Sequence, residues 1–303
     1  MLHKLKSEAE LPKQQRSNRM AVFYNQANLT YSGGSTNSNI VTGEILEALA
    51  VTKTAVVDTY STGDNLTYAV SIINTGGITY TDLTITDNLG AYPFGTGEVY
   101  PLTYEAGSVQ LFVNGVLVTA PTVTSVQPLV FDGIDIPAGA NAMLIYSVKA
   151  NETAPVNVGG EINNTVTVSG GGLTTPIEAT ETVTVRSEPI LTISKAINPT
   201  TVVDNSIITY TLTVRNLGNT DAVATDNLVI SDTFDPILSD ITVLIGGNLA
   251  TEGTDYTYNE TTGEFATVGG VVTVPAGTFT QNPITGEWTV TPGETVVEIR
   301  GRV

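Results

Sequence analysis

Three polar residues occupy positions where strand alternation calls for apolar ones. In Leu49-Ala-Val51-Thr-Lys53-Thr-Ala55, Lys53 shares a face with Leu49, Val51 and Ala55, because successive side chains of a strand point to opposite faces. Leu83, Ile85, Asp87 and Leu89 share a face in the same way, as do Ile162, Asn164, Val166 and Val168. Lys53, Asp87 and Asn164 are therefore expected to point into a core. The pattern recurs further along, with Leu191, Ile193, Lys195 and Ile197 on one face and Leu228, Ile230, Asp232 and Phe234 on another. The asparagine of this second set comes from the start of the chain, where Phe23, Asn25, Ala27, Leu29 and Tyr31 alternate onto one face.

A buried polar group left unpaired costs about 1–3 kcal/mol, and a charge costs more. The three residues of each set should therefore meet, and two outcomes are open. One is a hydrogen-bonded cluster. The other is an isopeptide bond: desolvation favours the neutral, nucleophilic lysine amine and the protonated aspartic acid, which polarises the asparagine carboxamide for attack with loss of ammonia. The candidate residues are Lys53, Asp87 and Asn164 within the first set, and Lys195, Asp232 and Asn25 in the second.

The elements that must position these residues form an internal repeat. Val51-Thr-Lys-Thr-Ala55 matches Ile193-Ser-Lys-Ala-Ile197, Leu66-Thr-Tyr68 matches Ile208-Thr-Tyr210, and Asn74-Thr-Gly76 matches Asn216-Leu-Gly218. Leu83 to Asp87 then matches Leu228 to Asp232, Val109 to Gly115 matches Ile241 to Gly247, and Ile134 to Gly139 matches Val272 to Gly277. Each piece is a short alternating run bounded by Gly, Asn, Asp or Pro, the pattern of antiparallel strands with one buried face. No long segment carries a helical period. The expected fold class is all-β: two tandem immunoglobulin-like β-sandwich domains preceded by an N-terminal donor hairpin. Expected boundaries are a disordered basic leader over 1–19, the hairpin over 20–48, the first domain over 49–187 and the second over 188–303. The first repeat continues into a hairpin from Ile162 to Val185, whereas the second stops at Val303 on the strand before it. Asn25 to Gly34 repeats the pattern of Asn164 to Gly172, so the early hairpin is expected to close the second domain of another subunit.

Composition narrows the function. Five of the 12 basic residues (Lys4, Lys6, Lys13, Arg16, Arg19) lie in the first 19 positions with Glu8 and Glu10, which leaves 7 basic and 28 acidic residues over 20–303. Such a body repels phosphate and anionic lipid, so neither nucleic acid nor membrane is an expected partner. With no cysteine, disulfides and thiol chemistry are excluded. The one histidine, His3, lies in the leader, and no nucleophile elbow or metal-ligand cluster is present. No enzyme activity and no cofactor are expected. The leader has no apolar segment of the kind that a secretory signal needs.

The run of Lys-Thr, Thr-Tyr, Asn-Thr-Gly, Thr-Asp and Pro-Ala-Gly resembles the conserved-repeat domain of unknown function 11, found in bacterial surface proteins, and covers roughly residues 49–303 in two copies. The stretch from Asn25 to Glu44 leading into Lys53-Thr is similar to the start of clostridial proteins built from this domain, among them spore-appendage subunits. The resemblance implies a surface or fibre location and no biochemical activity. An early lysine and a late asparagine are also similar to the order in Gram-positive pilin and collagen-adhesin domains, which implies an intrachain bond between Lys53 and Asn164. A Lys195–Asn25 bond across chains extends that arrangement. The expected function is a structural fibre subunit, extracellular or on a spore surface, whose partners are further copies of itself and other surface or appendage proteins. The alternative is an adhesin or binding module, with aromatic surfaces at Ala91-Tyr-Pro-Phe94 or Tyr256-Thr-Tyr258.

Overall fold

The computed structural model describes residues 20–46 and 48–303. The expected leader over 1–19 lies outside the described residues. The described chain opens with β1 (Met20–Asn25), β2 (Asn28–Tyr31), β3 (Gly34–Asn37) and β4 (Val41–Leu46). β1 pairs antiparallel with β4, and β2 with β3, which makes one long hairpin whose turn is at Ser32-Gly33. Residues 23–42 are exposed throughout. The alternation expected from Phe23 to Tyr31 is interrupted at Gln26-Ala27: the register steps from Asn25 opposite Val41 to Asn28 opposite Asn37. The opposite arm holds Ser38 to Ile40 in that gap, one residue more, and Ser38 Oγ accepts a hydrogen bond from the Ala27 amide at 3.0 Å. Such an extra residue breaks the ladder locally and bends it.

The first repeat runs β5 (Leu49–Ala55), β6 (Thr59–Tyr60), β7 (Asn65–Asn74), β8 (Tyr80–Asp87), β9 (Tyr92–Phe94), β10 (Gly97–Val99) and β11 (Leu102–Tyr104). It continues with β12 (Gln110–Val113), β13 (Val116–Val118), β14 (Thr122–Val126), β15 (Leu129–Ile136), β16 (Asn141–Ala150), β17 (Glu161–Gly170) and β18 (Ile177–Val185). One sheet has the order β13-β12-β16-β7-β5, with β11 also on β16; the other is β14-β15-β8-β17-β18-β6. The inward faces interleave Tyr68, Tyr146, Phe131, Leu83, Ile85 and Val166, all buried. Each such side chain contributes about 1.5–3 kcal/mol through the apolar area it removes from water.

The second repeat comprises β19 (Leu191–Asn198), β20 (Ile207–Asn216), β21 (Ser231–Thr233), β22 (Ser239–Ile245), β23 (Asn248–Leu249), β24 (Tyr256–Tyr258), β25 (Glu264–Thr267), β26 (Thr278–Gln281), β27 (Trp288–Thr291) and β28 (Gly293–Arg302). Its sheets are β19-β20-β28-β22-β23 and β21-β25-β24, with β26 and β27 forming a hairpin. A separate core gathers Leu212, Phe234, Phe265, Val297 and Ile299. Leu228 to Asp232, expected as a strand like Leu83 to Asp87, is strand only from Ser231; a single 3-10 turn, Ala224–Asp226, precedes it. Leu228, Ile230 and Phe234 nonetheless face inward as their spacing requires.

Two turns show why the repeats share a shape. Asn114-Gly115 joins β12 to β13 with φ of 50° and 78°, and Gly246-Gly247 joins β22 to β23 with φ of 56° and 80°. Two successive positive φ values define the hairpin turn that matches strand twist, and Asn-Gly and Gly-Gly adopt it at least cost. The Asn-x-Gly motifs are likewise structural. Asn74 is buried, donates to Ile78 O at 2.8 Å and Pro137 O at 2.9 Å, and accepts from Gly76 N at 3.0 Å. Asn216 donates to Thr220 O at 2.7 Å and accepts from Gly218 N at 2.9 Å and Ile190 N at 3.0 Å. One carboxamide in each repeat thus satisfies the backbone of its own bend.

Candidate functional site: two lysine–aspartate pairs

In the first sandwich β5 carries Lys53 and β8 carries Asp87, on facing sheets. Lys53 Nζ donates to Asp87 Oδ2 at 2.7 Å, and neither side chain is exposed, at 0% for both. The same carboxylate oxygen accepts a short hydrogen bond from the Tyr146 hydroxyl, and Oδ1 accepts from the Leu89 amide at 2.7 Å. The ammonium lies 4.6 Å from the centre of the Tyr68 ring and 5.9 Å from that of Tyr146. Burial lowers the Lys53 pKa to about 8, against the opposing pull of Asp87 and Glu181. Burial pushes the Tyr68 and Tyr146 phenols up, so both stay protonated as donors.

Asn164 stands on β17, whose register sets Val166 opposite Asp87 on β8. It is fully buried, yet neither its Oδ1 nor its Nδ2 has a hydrogen-bond partner. Tyr68 Oη lies beside it, at a geometry too poor to satisfy either group. The contrast with Asn74 and Asn216 is sharp, since those carboxamides are satisfied on both ends. A buried amide left in this state costs about 1–3 kcal/mol per unmade bond, and native cores rarely keep one without a reason. Tyr68 stands next to this carboxamide, to the Asp87 carboxylate and to Lys53, whose neutral form burial favours. That arrangement suits attack of Nζ on Cγ.

The second sandwich reproduces the pair in a different setting. Lys195 Nζ donates a short hydrogen bond to Asp232 Oδ2 and lies 4.4 Å from the Tyr210 ring centre and 5.4 Å from that of Phe234. Inward burial was expected of Lys195; instead its side chain is 41% exposed and that of Asp232 18%. The reason is visible in the sheets. β8 is flanked by β15 and β17, whereas among the described residues β21 pairs only with β25. All of β19, including Leu191, Ile193 and Ile197, is exposed. Among the described residues no pair of strands covers this face as β17 and β18 cover the first.

Asn25 lies at the end of β1, exposed and opposite Val41, and no hydrogen bond joins it to Lys195 or Asp232 within the chain. Five of the six candidates therefore fall into two pairs and an adjoining amide, and the sixth stands apart on the hairpin. Sequence reasoning passed over Tyr68, Tyr146 and Glu181. Tyr68 and Tyr210 were signalled by the repeated Thr-Tyr. Glu181, opposite Asn164 on β18 and accepting from the Ala55 amide at 3.3 Å, was signalled only by its place across the hairpin.

No family model matches the chain, and no curated protein does. Solved structures do. The pilus backbone protein RrgB of Streptococcus pneumoniae is similar at 12% identity and a TM-score of 0.33, over 80% of this chain and 55% of its own. This chain thus spans little more than half the length of that protein. BcpA, the major pilin subunit of Bacillus cereus, is similar at 12% identity and a TM-score of 0.35, over 90% of this chain and 73% of its own. A C-terminal fragment of the major pilin GBS80 of Streptococcus agalactiae is similar at 12% identity and a TM-score of 0.34, over 74% and 79%. Likeness at this level carries no weight for function.

The aromatic surfaces expected of a binding module are occupied. Tyr92 Oη donates to Thr153 O at 2.7 Å, and Phe94 packs over Gly286. Tyr256 is buried against Phe265, and Tyr258 Oη donates to Leu238 O at 2.8 Å. Among the described residues no cluster of metal-ligating side chains occurs, and no helix is long and apolar enough to cross a membrane.

Proposed function

We propose that this chain is a structural subunit of a bacterial surface or spore-appendage fibre, built from two conserved repeats of the domain of unknown function 11 type. The observation that carries the reading is a mismatch within one chain: a hairpin exposed along residues 23–42, and a second sandwich whose β19 face and β21 edge are uncovered. Both carry apolar side chains in water, Phe23, Leu29 and Tyr31 on one and Leu191, Ile193 and Ile197 on the other. Docking the hairpin of one subunit on the second sandwich of the next removes both liabilities, as strand addition does elsewhere. Repeated head to tail, this builds a homopolymer, and its ends can meet other surface or appendage proteins.

Isopeptide bonds lock the fibre in this reading. Lys53 Nζ attacks Asn164 Cγ, the new N–C amide bond forms, the Cγ–Nδ2 bond breaks, and the nitrogen leaves as ammonia carrying the displaced proton, with Asp87 as the acid. Lys195 and Asp232 do the same to Asn25 of the neighbouring subunit. The orphaned amide of Asn164 supports the first bond; the repeated pair supports the second.

Deleting residues 1–45 tests the exchange. The truncated chain is expected to sediment as a monomer at concentrations where the full chain forms filaments. Filaments forming undiminished from it would overturn the reading, and a full chain that closes on itself would sediment as a monomer instead.

A further inference from the structure

The two lysine–aspartate pairs hold the same groups, yet only one is sealed. Lys53 and Asp87 are 0% exposed, beneath β17 and β18; Lys195 and Asp232 are 41% and 18% exposed. In both, the lysine already lies against an aromatic face, 4.6 Å from the Tyr68 centre and 4.4 Å from that of Tyr210, and hydrogen-bonds its carboxylate. Geometry is therefore assembled in each pair before any second subunit arrives. What differs is water.

Water matters because amide formation needs the lysine as a free amine and the aspartate as an acid. An ion pair converts to that neutral pair only where charge is penalised, and charge is penalised by desolvation. At Lys53, desolvation is the dominant influence and outweighs the attraction of Asp87. At Lys195 water reaches the ammonium and hydrates the ion pair.

We propose that the Lys195–Asp232 site is latent in the free subunit and becomes reactive only when the hairpin of a second copy covers it, so that docking switches on the bond. The hairpin brings water exclusion as well as the Asn25 carboxamide. This inference rests on the hairpin exchange proposed above. Its occupant is residues 20–46 of another copy, because that hairpin presents exposed apolar residues to an uncovered apolar strand and the β21 edge offers it a ladder. The bond then forms only after correct docking, because a stray carboxamide, far less reactive than an activated ester, meets Lys195 in water, where nothing drives the ion pair to its neutral form.

Asn25→Ala in the full chain separates covering from bonding, since it keeps the hairpin and removes the acceptor. Access to Lys195 is read by acetylation with an N-hydroxysuccinimide ester and peptide mass mapping, with exposed Lys149 as the internal reference. In dilute Asn25→Ala protein Lys195 is expected to acetylate readily. At polymerising concentration the variant is expected to form detergent-sensitive filaments in which Lys195 acetylates about tenfold more slowly. Such filaments with Lys195 as reactive as in dilute protein would overturn the latency and leave hairpin exchange standing. Filaments from the wild type and none from Asn25→Ala would also overturn it, because docking would then not precede the bond. Filaments from neither would remove the exchange, and the latency with it.

Discussion

Asp87 serves three donors at once: Lys53, the Tyr146 hydroxyl and the Leu89 amide. Removing one member of a buried ion pair strands the other, at a cost of about 3–5 kcal/mol. Asp87→Ala is thus expected to lower the denaturation midpoint of the first sandwich and to leave its mass unchanged. The wild type should be lighter than its sequence by about 17 Da for each Lys–Asn condensation; an intact mass equal to the sequence in the chain lacking residues 1–45 would refute the Lys53–Asn164 bond. The pH dependence of that bond has a definite sign. The ion pair and the neutral amine–acid pair hold the same number of protons, so they interconvert without uptake or release. From neutral pH up to about 8, where Lys53 titrates, the pair keeps one proton and the rate of mass loss on refolding should be flat with pH. Above it the pair loses the proton that Asp87 needs to act as an acid, and the rate should fall. A rate that instead climbs steadily above this pH would show that Asp87 does not act as the acid.

At the scale of elements, Asn216 bears most on the open sandwich. Its carboxamide ties the Thr220 carbonyl and the Gly218 and Ile190 amides, and so fixes the entry to β19. Asn216→Ala leaves those groups without partners and should cost about 2–4 kcal/mol by the usual penalty for several buried polar groups, measurable by urea denaturation. β19 then loses its anchor, and the variant should polymerise poorly even with an intact hairpin. The two sites also differ in what surrounds them. Tyr146 on β16 stands opposite Tyr68, while the residue opposite Tyr210 on β28 is Ile299; Glu181 stands opposite Asn164, while Val41 stands opposite Asn25. Among the described residues the second site thus has no phenol hydrogen-bonded to its carboxylate and no second carboxylate opposite its asparagine across the hairpin. The cross-chain bond should form more slowly than the intrachain one, which a refolding time course read by mass and by gel would reveal.

Across the whole molecule the two sandwiches are tied to one another. The Trp288 amide donates to Glu152 O at 2.8 Å, Gln281 Nε2 to Tyr92 Oη at 2.8 Å, and Asn219 Nδ2 to Val156 O at 3.0 Å. The hairpin of β26 and β27 thereby braces the second sandwich against the first. Covalent closure of each joint should give filaments that survive hot detergent as a ladder of multimers, and Lys195→Ala should yield filaments that dissolve to monomer. Wild-type filaments that melt wholly to monomer would leave only hydrogen-bonded clusters at both sites.

The alternation of apolar residues and the Gly- and Asn-rich turns were enough to read an all-β chain with a repeat, because both are local consequences of backbone geometry. The inward direction of Lys53, Asp87 and Asn164 followed from the same period of two. Burial did not, because whether a face is covered depends on strands far away in sequence. Lys195 has the alternation of Lys53 and opposite exposure, since β17 and β18 cover the one and no described strand covers the other. The short β21 and the break at Gln26-Ala27 were equally out of reach, as each reflects which partner strand is present and in what register. The contrast between a satisfied Asn74 and an orphaned Asn164 belongs to the tertiary structure alone: both are buried asparagines on strands, and only the fold decides which finds backbone partners and which finds none.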